Sequence, residues 1–340
     1  MFSDQEREFA RLAVEHHYLT HGQLKALQSS CRPGEPLDAT LVAHGYLTRE
    51  EADELASLTT RSLPVMPAPP PPPEETPRPA FAVPGYAIQR LLSRNAQSIL
   101  HAAVRESDGT EVALKVLTKG PLERYLSRAE EARTLHHPNI VKVLEAGRIG
   151  PAVYIASEFA HSVSLRDHVT GTMRLGLGEA IAILKQVAAA LAEAHHWRLL
   201  HGNLKAENVL VTEAREVSVT DFGLAPPLFQ VGVRLARVMA PEAWQGPSEP
   251  ASDLYSCGIL WFHMLTGEWP FDGQTVEEVR DLHLNKPAPL LCRRVPGLPP
   301  AAEKLLSRLT SKVPALRHAG APDLIRELDV LEAAVPVSDE

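Results

Sequence analysis

The chain has 340 residues, a formal net charge of −8, 44% hydrophobic residues and 22% charged ones. That is enough apolar material for a sizeable core. The acidic balance gives no sign of a nucleic-acid footprint or a polybasic membrane patch. Cys31, Cys257 and Cys292 lie far apart without metal-ligand spacing, which excludes a disulfide framework and suits a reducing compartment.

Residues Met1 to Glu6 contain neither a basic nor an apolar region, so no signal peptide is expected. No uninterrupted apolar stretch reaches the roughly 18 residues a membrane helix needs. The expectation is a cytoplasmic protein with no membrane contact. The histidine pairs His16-His17, His136-His137 and His195-His196 are sequence neighbours. Neighbours do not share a helix face, so they read as loop and surface residues rather than a shared metal site.

Residues 1–60 predict a small all-helical module with an internal repeat at an offset of 28 residues. One copy has Phe9, Leu12 and Ala13 leading into His17-Tyr18-Leu19-Thr20 and Leu24. The other has Leu37, Leu41 and Val42 leading into Gly45-Tyr46-Leu47-Thr48 and Ala52. Thr48-Arg49-Glu50-Glu51 has the form of a capping box. Each copy reads as a helix-turn-helix hairpin, similar to the short helical modules that precede bacterial signalling and secretion ATPase domains. Partner binding or autoregulation is the role this implies; a cap without a separate role is the alternative.

Residues 61–84 read as a linker. Proline clusters from Pro64 to Pro84, with an unbroken run from Pro69 to Pro73. Such a run favours polyproline II and forms a semi-rigid spacer, or a docking peptide for an aromatic-lined groove.

Beyond the linker, Tyr86 to Leu92, Ile99 to Val104 and Val112 to Leu117 alternate as strands, with Asp108-Gly109 as a hairpin turn. A helix follows over Leu122 to Leu135, then two short strands ending at Glu158. From Ser164, a candidate helix cap, the chain is mostly helical. Leu177 to His196 forms a long helix, Thr275 and Glu278 a capping box, and a last helix covers about Pro322 to Ala334. The pattern is α+β: a five-stranded lobe with one helix over 85–160, a helical lobe over 161–332, and a tail over 333–340.

The order of motifs resembles the eukaryotic-type Ser/Thr protein kinases of bacteria. Val112-Ala113-Leu114-Lys115 matches the strand of the phosphate-pairing lysine. His137-Pro138-Asn139-Ile140-Val141 matches the segment after the regulatory helix. His201-Gly202-Asn203-Leu204-Lys205-Ala206-Glu207-Asn208 occupies the catalytic loop, followed by Asp221-Phe222-Gly223 and Ala240-Pro241-Glu242. Asp253 and Arg317 also sit at recognisable positions. The resemblance covers about 85–332 and implies a two-lobed kinase-like fold.

Carried over residue by residue, the resemblance implies a nucleotide site of Lys115, Leu100, Ala113, Glu158, Ala160 and Leu210, with Ser157 as a small residue before the hinge. It implies metal ligation by Asn208 and Asp221, so ATP and Mg²⁺ as weakly held ligands; a cleft closed by its own side chains is the alternative. Asn203 and Lys205 form the catalytic pair, and Asn203 stands where the family has an aspartate. An amide cannot take up a hydroxyl proton as a carboxylate does, and a positioned base contributes roughly 10²–10⁴-fold.

Other positions depart in the same direction. The three glycines of the phosphate loop map to Ser93, Asn95 and Ser98, where Asn95 is expected to tolerate left-handed geometry. The glutamate partner of Lys115 falls on Arg128, with Glu130 or Glu131 as substitutes if the helix shifts. The catalytic-loop arginine is Gly202. A bridging threonine is Leu235. Residues 221–242 contain no Ser, Thr or Tyr to phosphorylate. Scaffold residues persist: His201 with Phe222, Asp253 under the catalytic loop, and a Glu242–Arg317 ion pair. The expectation is a pseudokinase-like scaffold or allosteric regulator that engages protein partners and no nucleic acid. A weakly active Ser/Thr kinase is the alternative, and a transferase running another nucleotide reaction in the same cleft is a third.

Overall fold

The computed structural model describes residues 9–11, 13–14, 37–43, 46–49, 52, 56, 82–95, 97–169 and 173–334. The first repeat copy from His17 to Leu24, Leu12, Gly45, Glu50, Glu51, the proline run and the tail beyond 334 lie outside the described residues.

Of the N-terminal module, helix α1 spans Leu37–Ala43. Leu37 and Leu41 are buried with Phe9, Ala10, Ala13, Leu47 and Ala52. Spacing of four residues puts Leu37 and Leu41 on one helix face. The two hairpin sequences therefore share a core, with residues from both copies.

The first lobe is an antiparallel sheet of β1 (Tyr86–Arg94), β2 (Ser98–Arg105), β3 (Glu111–Leu117), β4 (Val143–Ile149) and β5 (Ala152–Glu158) in the order β1-β2-β3-β5-β4. Period-two alternation sorts the faces. Val112, Leu114 and Val116 point into the lobe's core with Val83 and Ala156. Ala113 and Lys115 take the other face, where Lys115 pairs with Leu100 on β2 and Ile155 on β5. Gly109 adopts φ +73° in the β2–β3 hairpin, where Arg105 holds Asp108 through Nε at 3.0 Å and Nη2 at 2.6 Å. Helix α2 spans Leu122–Ala132 and ends three residues before the expected Leu135.

The second lobe begins with β6 (Val163–Ser164) and a short α3 (Leu165–His168). Ser164 stands at the cap position, but its hydroxyl donates to Asp167 Oδ2 at 2.8 Å instead of capping a backbone N–H. Helix α4 covers Leu177–His196 and buries Ile181, Leu184, Val187, Ala188 and Leu191. Strands β7 (Val209–Val211) and β8 (Val217–Val219) join β6 in a small sheet that the sequence pattern did not show. Short helix α5 spans Val233–Ala236.

Helix α6 (Pro250–Thr266) is buried on nearly every face, as a helix apolar all round must be. It contains the apolar run from Gly258 to Leu265. A Glu249–Ser252 capping box starts it, and Gly267 at φ +75° ends it. Helices α7 (Val276–Asn285), α8 (Leu291–Arg294), α9 (Pro300–Leu309) and α10 (Ala321–Ala333) complete the lobe. The Thr275 capping box forms as expected, with Glu278 N–H donating to Thr275 Oγ1 at 3.1 Å and Thr275 N–H to Glu278 Oε2 at 3.3 Å. Among the described residues no helix is long and apolar enough to cross a membrane.

The lobes are joined by more than the chain. Val219 N–H donates to Asn139 O at 2.8 Å, and Val141 N–H to Val219 O at 2.9 Å. The segment after α2 is thereby stitched to β8, close to Asp221.

Candidate nucleotide and catalytic cleft

Asp253, on the buried α6, organises the catalytic loop. Its carboxylate accepts His201 N–H at 2.9 Å, Gly202 N–H at 2.8 Å and a hydrogen bond to His195 Nε2 at 2.8 Å. Burial raises its pKa, and the His195 bond with the neighbouring charges and N–H donors outweighs burial, so it stays ionised below the usual range. Gly202 sits at φ +69°, and a Cβ there would lie 3.1 Å from the Ala225 Cβ. Only glycine takes that backbone without strain. His201 is fully buried and its ring packs against Phe222, with centroids 4.8 Å apart and planes tilted by 48°.

Asn203 follows. Its N–H donates to His201 Nδ1 at 3.2 Å, and its carbonyl accepts Asn208 Nδ2 at 2.9 Å. Its carboxamide oxygen is buried and takes no hydrogen bond from the protein. Such an atom needs a partner, and it can orient a hydroxyl. It cannot remove a proton. The Asn208 bond uses that side chain's nitrogen and leaves its oxygen for a metal.

Asp221 lies at φ +67°, a left-handed backbone uncommon for a non-glycine residue. Burial pushes its pKa up, and Lys115, His201 and Lys205 outweigh burial and push it down. Lys115 Nζ forms a short ion pair with Asp221 Oδ2. The expected substitutes on α2 are not available. Glu131 pairs with Arg128, and Glu130 pairs with Arg133 at 2.8 Å. Arg128 stands on the cleft side, against Gly223. The helix has not shifted to offer a glutamate. Lys115 takes its carboxylate partner from Asp221 instead of from α2.

The β1–β2 loop departs from expectation in a more specific way. Asn95 does not adopt a left-handed backbone. Its side-chain oxygen instead accepts Gln97 N–H at 2.8 Å and Ser98 N–H at 2.9 Å, while its own N–H donates to Ser98 O at 3.0 Å. This is an Asx turn. Ser93 lies on β1 and Ser98 opens β2. The Gln97 and Ser98 N–H groups of this loop are thus taken by a side chain.

Leu100 and Ala113 share the Lys115 face of the sheet. Ser157 pairs with Ala113 across β3 and β5. Glu158, Ala160 and Leu210 instead line a cavity of about 540 Å³ behind the hinge, together with Ile140 and Lys142. Leu100 and Ala113 are not among its lining residues. The structure thus gathers Lys115, Lys205, Asn203, Asn208 and Asp221 around one point, with Leu100 and Ala113 on the sheet face that carries Lys115. The oxygens of Asn208 and Asp221 fit a hard divalent cation. Lys115 keeps further N–H donors for a nucleotide phosphate beside its pair with Asp221.

Scaffold residues behave as expected. Arg317 forks onto Glu242 at 2.7 and 2.8 Å and also donates to Ala251 O and Ser311 O. Leu235 is 7% exposed and packs in an apolar cluster with Val238, Tyr255 and Phe271. Sequence reasoning missed Asn95 as an acceptor, although Asn with a serine three residues later is a turn signal. It also missed Arg166 and Arg234, which flank Glu207 of the catalytic loop. Burial raises the Glu207 pKa, but Lys205, Arg166 and Arg234 outweigh it and hold the value at about 2.

Known proteins place this geometry. The protein kinase domain model matches residues 86–327. The chain is 29% identical over 262 residues to the Bacillus subtilis serine/threonine-protein kinase PrkC, covering 73% of this chain and 40% of PrkC. It is 32% identical over 268 residues to the Mycobacterium tuberculosis serine/threonine-protein kinase PknA, covering 73% of this chain and 62% of PknA. For the probable serine/threonine-protein kinase pknA2 of Bifidobacterium longum the figures are 29% over 277 residues, 76% and 37%. The chain spans less than two thirds of each of these relatives. With the family model over most of its length and the two lobes, hinge and catalytic loop in place, the chain belongs to the protein kinase domain family.

Proposed function

We propose that this chain is a signalling protein that keeps the kinase fold for binding, with phosphoryl transfer impaired, and acts as a scaffold or allosteric regulator of a protein partner. Asn203 carries this reading. Its carboxamide oxygen stands where a proton acceptor is needed and supplies only a hydrogen bond. The Lys115–Asp221 pair and the Asx turn at Asn95 support it, because both occupy groups that phosphate and metal require.

Bound ATP and Mg²⁺ would supply the γ-phosphoryl group and neutralise charge in a loose transition state. Lys205 lies beside that point and Asn208 offers an oxygen, so weak nucleotide binding belongs to this reading. A second reading, a weakly active Ser/Thr kinase acting on protein hydroxyls, is favoured by the survival of Lys115, Lys205, Asn208 and Asp221 together.

Radiolabel transfer from ATP to a general protein substrate separates the two. No transfer above that of Lys115→Ala, with a gain in Asn203→Asp, supports impaired transfer. Robust wild-type transfer that Lys115→Ala abolishes overturns it. A thermal shift with millimolar ATP and Mg²⁺ tests the cleft itself, and no shift removes nucleotide binding from the reading.

A further inference from the structure

The Tyr46-Leu47 turn of the N-terminal module lies against the kinase domain. Arg234 on α5 donates from Nη2 to the Tyr46 carbonyl at 2.8 Å. The Tyr46 hydroxyl is half-buried, and burial raises its pKa while the Arg166 guanidinium draws it back. Arg166 belongs to α3, just past the hinge, and Arg234 to the segment after Asp221. The same two arginines flank Glu207 and hold it ionised with Lys205. One turn of the module is therefore held by Arg234 and lies within electrostatic reach of Arg166, two arginines from different parts of the helical lobe that both act on Glu207 of the catalytic loop.

The turn is built to present that carbonyl. Tyr46 N–H and Leu47 N–H both donate to Leu41 O, at 2.9 and 3.3 Å, which closes the end of α1. Leu47 is 3% exposed in the module's core. Tyr46 is left at the edge of that core, facing the lobe. The tether permits this placement in one chain. Leu47 and Ala82 are 35 residues apart, a reach of up to ~120 Å when extended. A tethered contact also acts at an effective concentration on the order of millimolar, so one hydrogen bond and a modest interface can hold it.

We propose that the second N-terminal hairpin docks in cis on the acceptor face of the catalytic loop, bounded by Arg166, Glu207 and Arg234, and that a protein reaches Asn203 and Lys205 only when the hairpin leaves. The occupant is this chain's own residues around Tyr46. The contact does not depend on whether phosphoryl transfer survives.

A photo-crosslinking phenylalanine analogue at position 46 of the full chain tests it. The main-chain carbonyl that Arg234 holds is retained in this variant. Irradiation at low micromolar protein is expected to give crosslinks within one chain, to peptides carrying Arg166, Glu207 or Arg234. Arg234→Glu and, separately, Arg166→Glu are expected to lower that yield at least fivefold. Each variant is used only at temperatures where its unfolding transition has not begun. Hydrogen exchange of peptides spanning Leu37 to Thr48 and His201 to Val211 is expected to quicken together in Arg234→Glu. Crosslinks to another surface, crosslinks only between chains, or a yield unchanged in both variants overturn docking in cis.

Discussion

Replacing Asn95 by glycine should tighten nucleotide binding. The Asn95 oxygen takes Gln97 N–H at 2.8 Å and Ser98 N–H at 2.9 Å. Glycine removes that acceptor and frees two backbone donors for a phosphate. A hydrogen bond to a charged group contributes ~1.5–3 kcal/mol, so two give about 3–6 kcal/mol gross. Against this stand the lost Asx turn and glycine's extra backbone entropy of ~0.5–1 kcal/mol. Ordering a loop that the side chain had already ordered costs ~1–2 kcal/mol per residue. With mid-range values and one residue re-ordered, the net gain is about 2 kcal/mol, or roughly 30-fold in Kd. Isothermal titration with ATP and Mg²⁺ on the full chain measures it. Asn95→Asp gives the opposite control: it keeps the turn acceptor but adds a negative charge beside the phosphates, so affinity should fall below wild type. Equal affinity in all three proteins would refute the idea that the turn competes with phosphate.

Arg317→Ala should destabilise the helical lobe by about 3–5 kcal/mol by stranding Glu242, and Arg317→Lys should recover little because an ammonium cannot reproduce the fork; urea unfolding reads both. Gly258→Ala should cost about 1–3 kcal/mol despite a better helix propensity, since its Cβ would lie 2.7 Å from the Leu309 Cβ and force α6 and α9 apart; an unchanged melting temperature would refute that packing. Burial lowers His263 to about 4 and His283 to about 3. Below pH 6.5 the unfolded chain binds protons that these folded histidines refuse, so stability holds above that pH and falls beneath it. At pH 5 each histidine contributes a loss of about 2 kcal/mol, and the urea midpoint should drop clearly between pH 7.5 and 5.

The backbone plan was legible because period-two and 3.6-residue patterns report burial directly. Ala113 and Lys115 fall on the cleft face for that reason, and Leu177 to His196 forms the helix its apolar spacing requires. The Asp253, His201–Phe222 and Glu242–Arg317 roles were legible because each residue stands in a motif of fixed spacing. Two other features depend on which of several nearby partners wins, and spacing does not decide that. Glu131 and Glu130 were within a turn of the cleft, but Arg128 on α2 and Arg133 just past its end each lie three residues from one of them and pair with it first. Asn95 was weighed for its backbone tolerance, whereas its side chain settled the loop. The Tyr46 turn could be read as a turn, but the lobe it meets is set by Arg166 and Arg234, separated from it by more than a hundred residues.

These departures have a common electrostatic result. In the family pattern a helix glutamate holds the lysine, and the loop donors and metal ligand are left for phosphate and metal. Here Lys115 and Asp221 neutralise each other, and Asn95 satisfies the loop donors. Asp221 is held ionised by cations in the protein itself. A nucleotide would therefore compete with the Asn95 side chain for the loop donors and share Lys115 with Asp221. Asn203→Asp alone would add a second carboxylate beside Asp221, near Asn208. That change restores a base and also strengthens the site's demand for a divalent cation. Rescue of transfer should accordingly be larger when Asn203→Asp is combined with Asn95→Gly than the product of the two single effects. Simple multiplicativity would mean that the loop and the catalytic residue act independently, and that the self-satisfied state of the cleft does not limit catalysis.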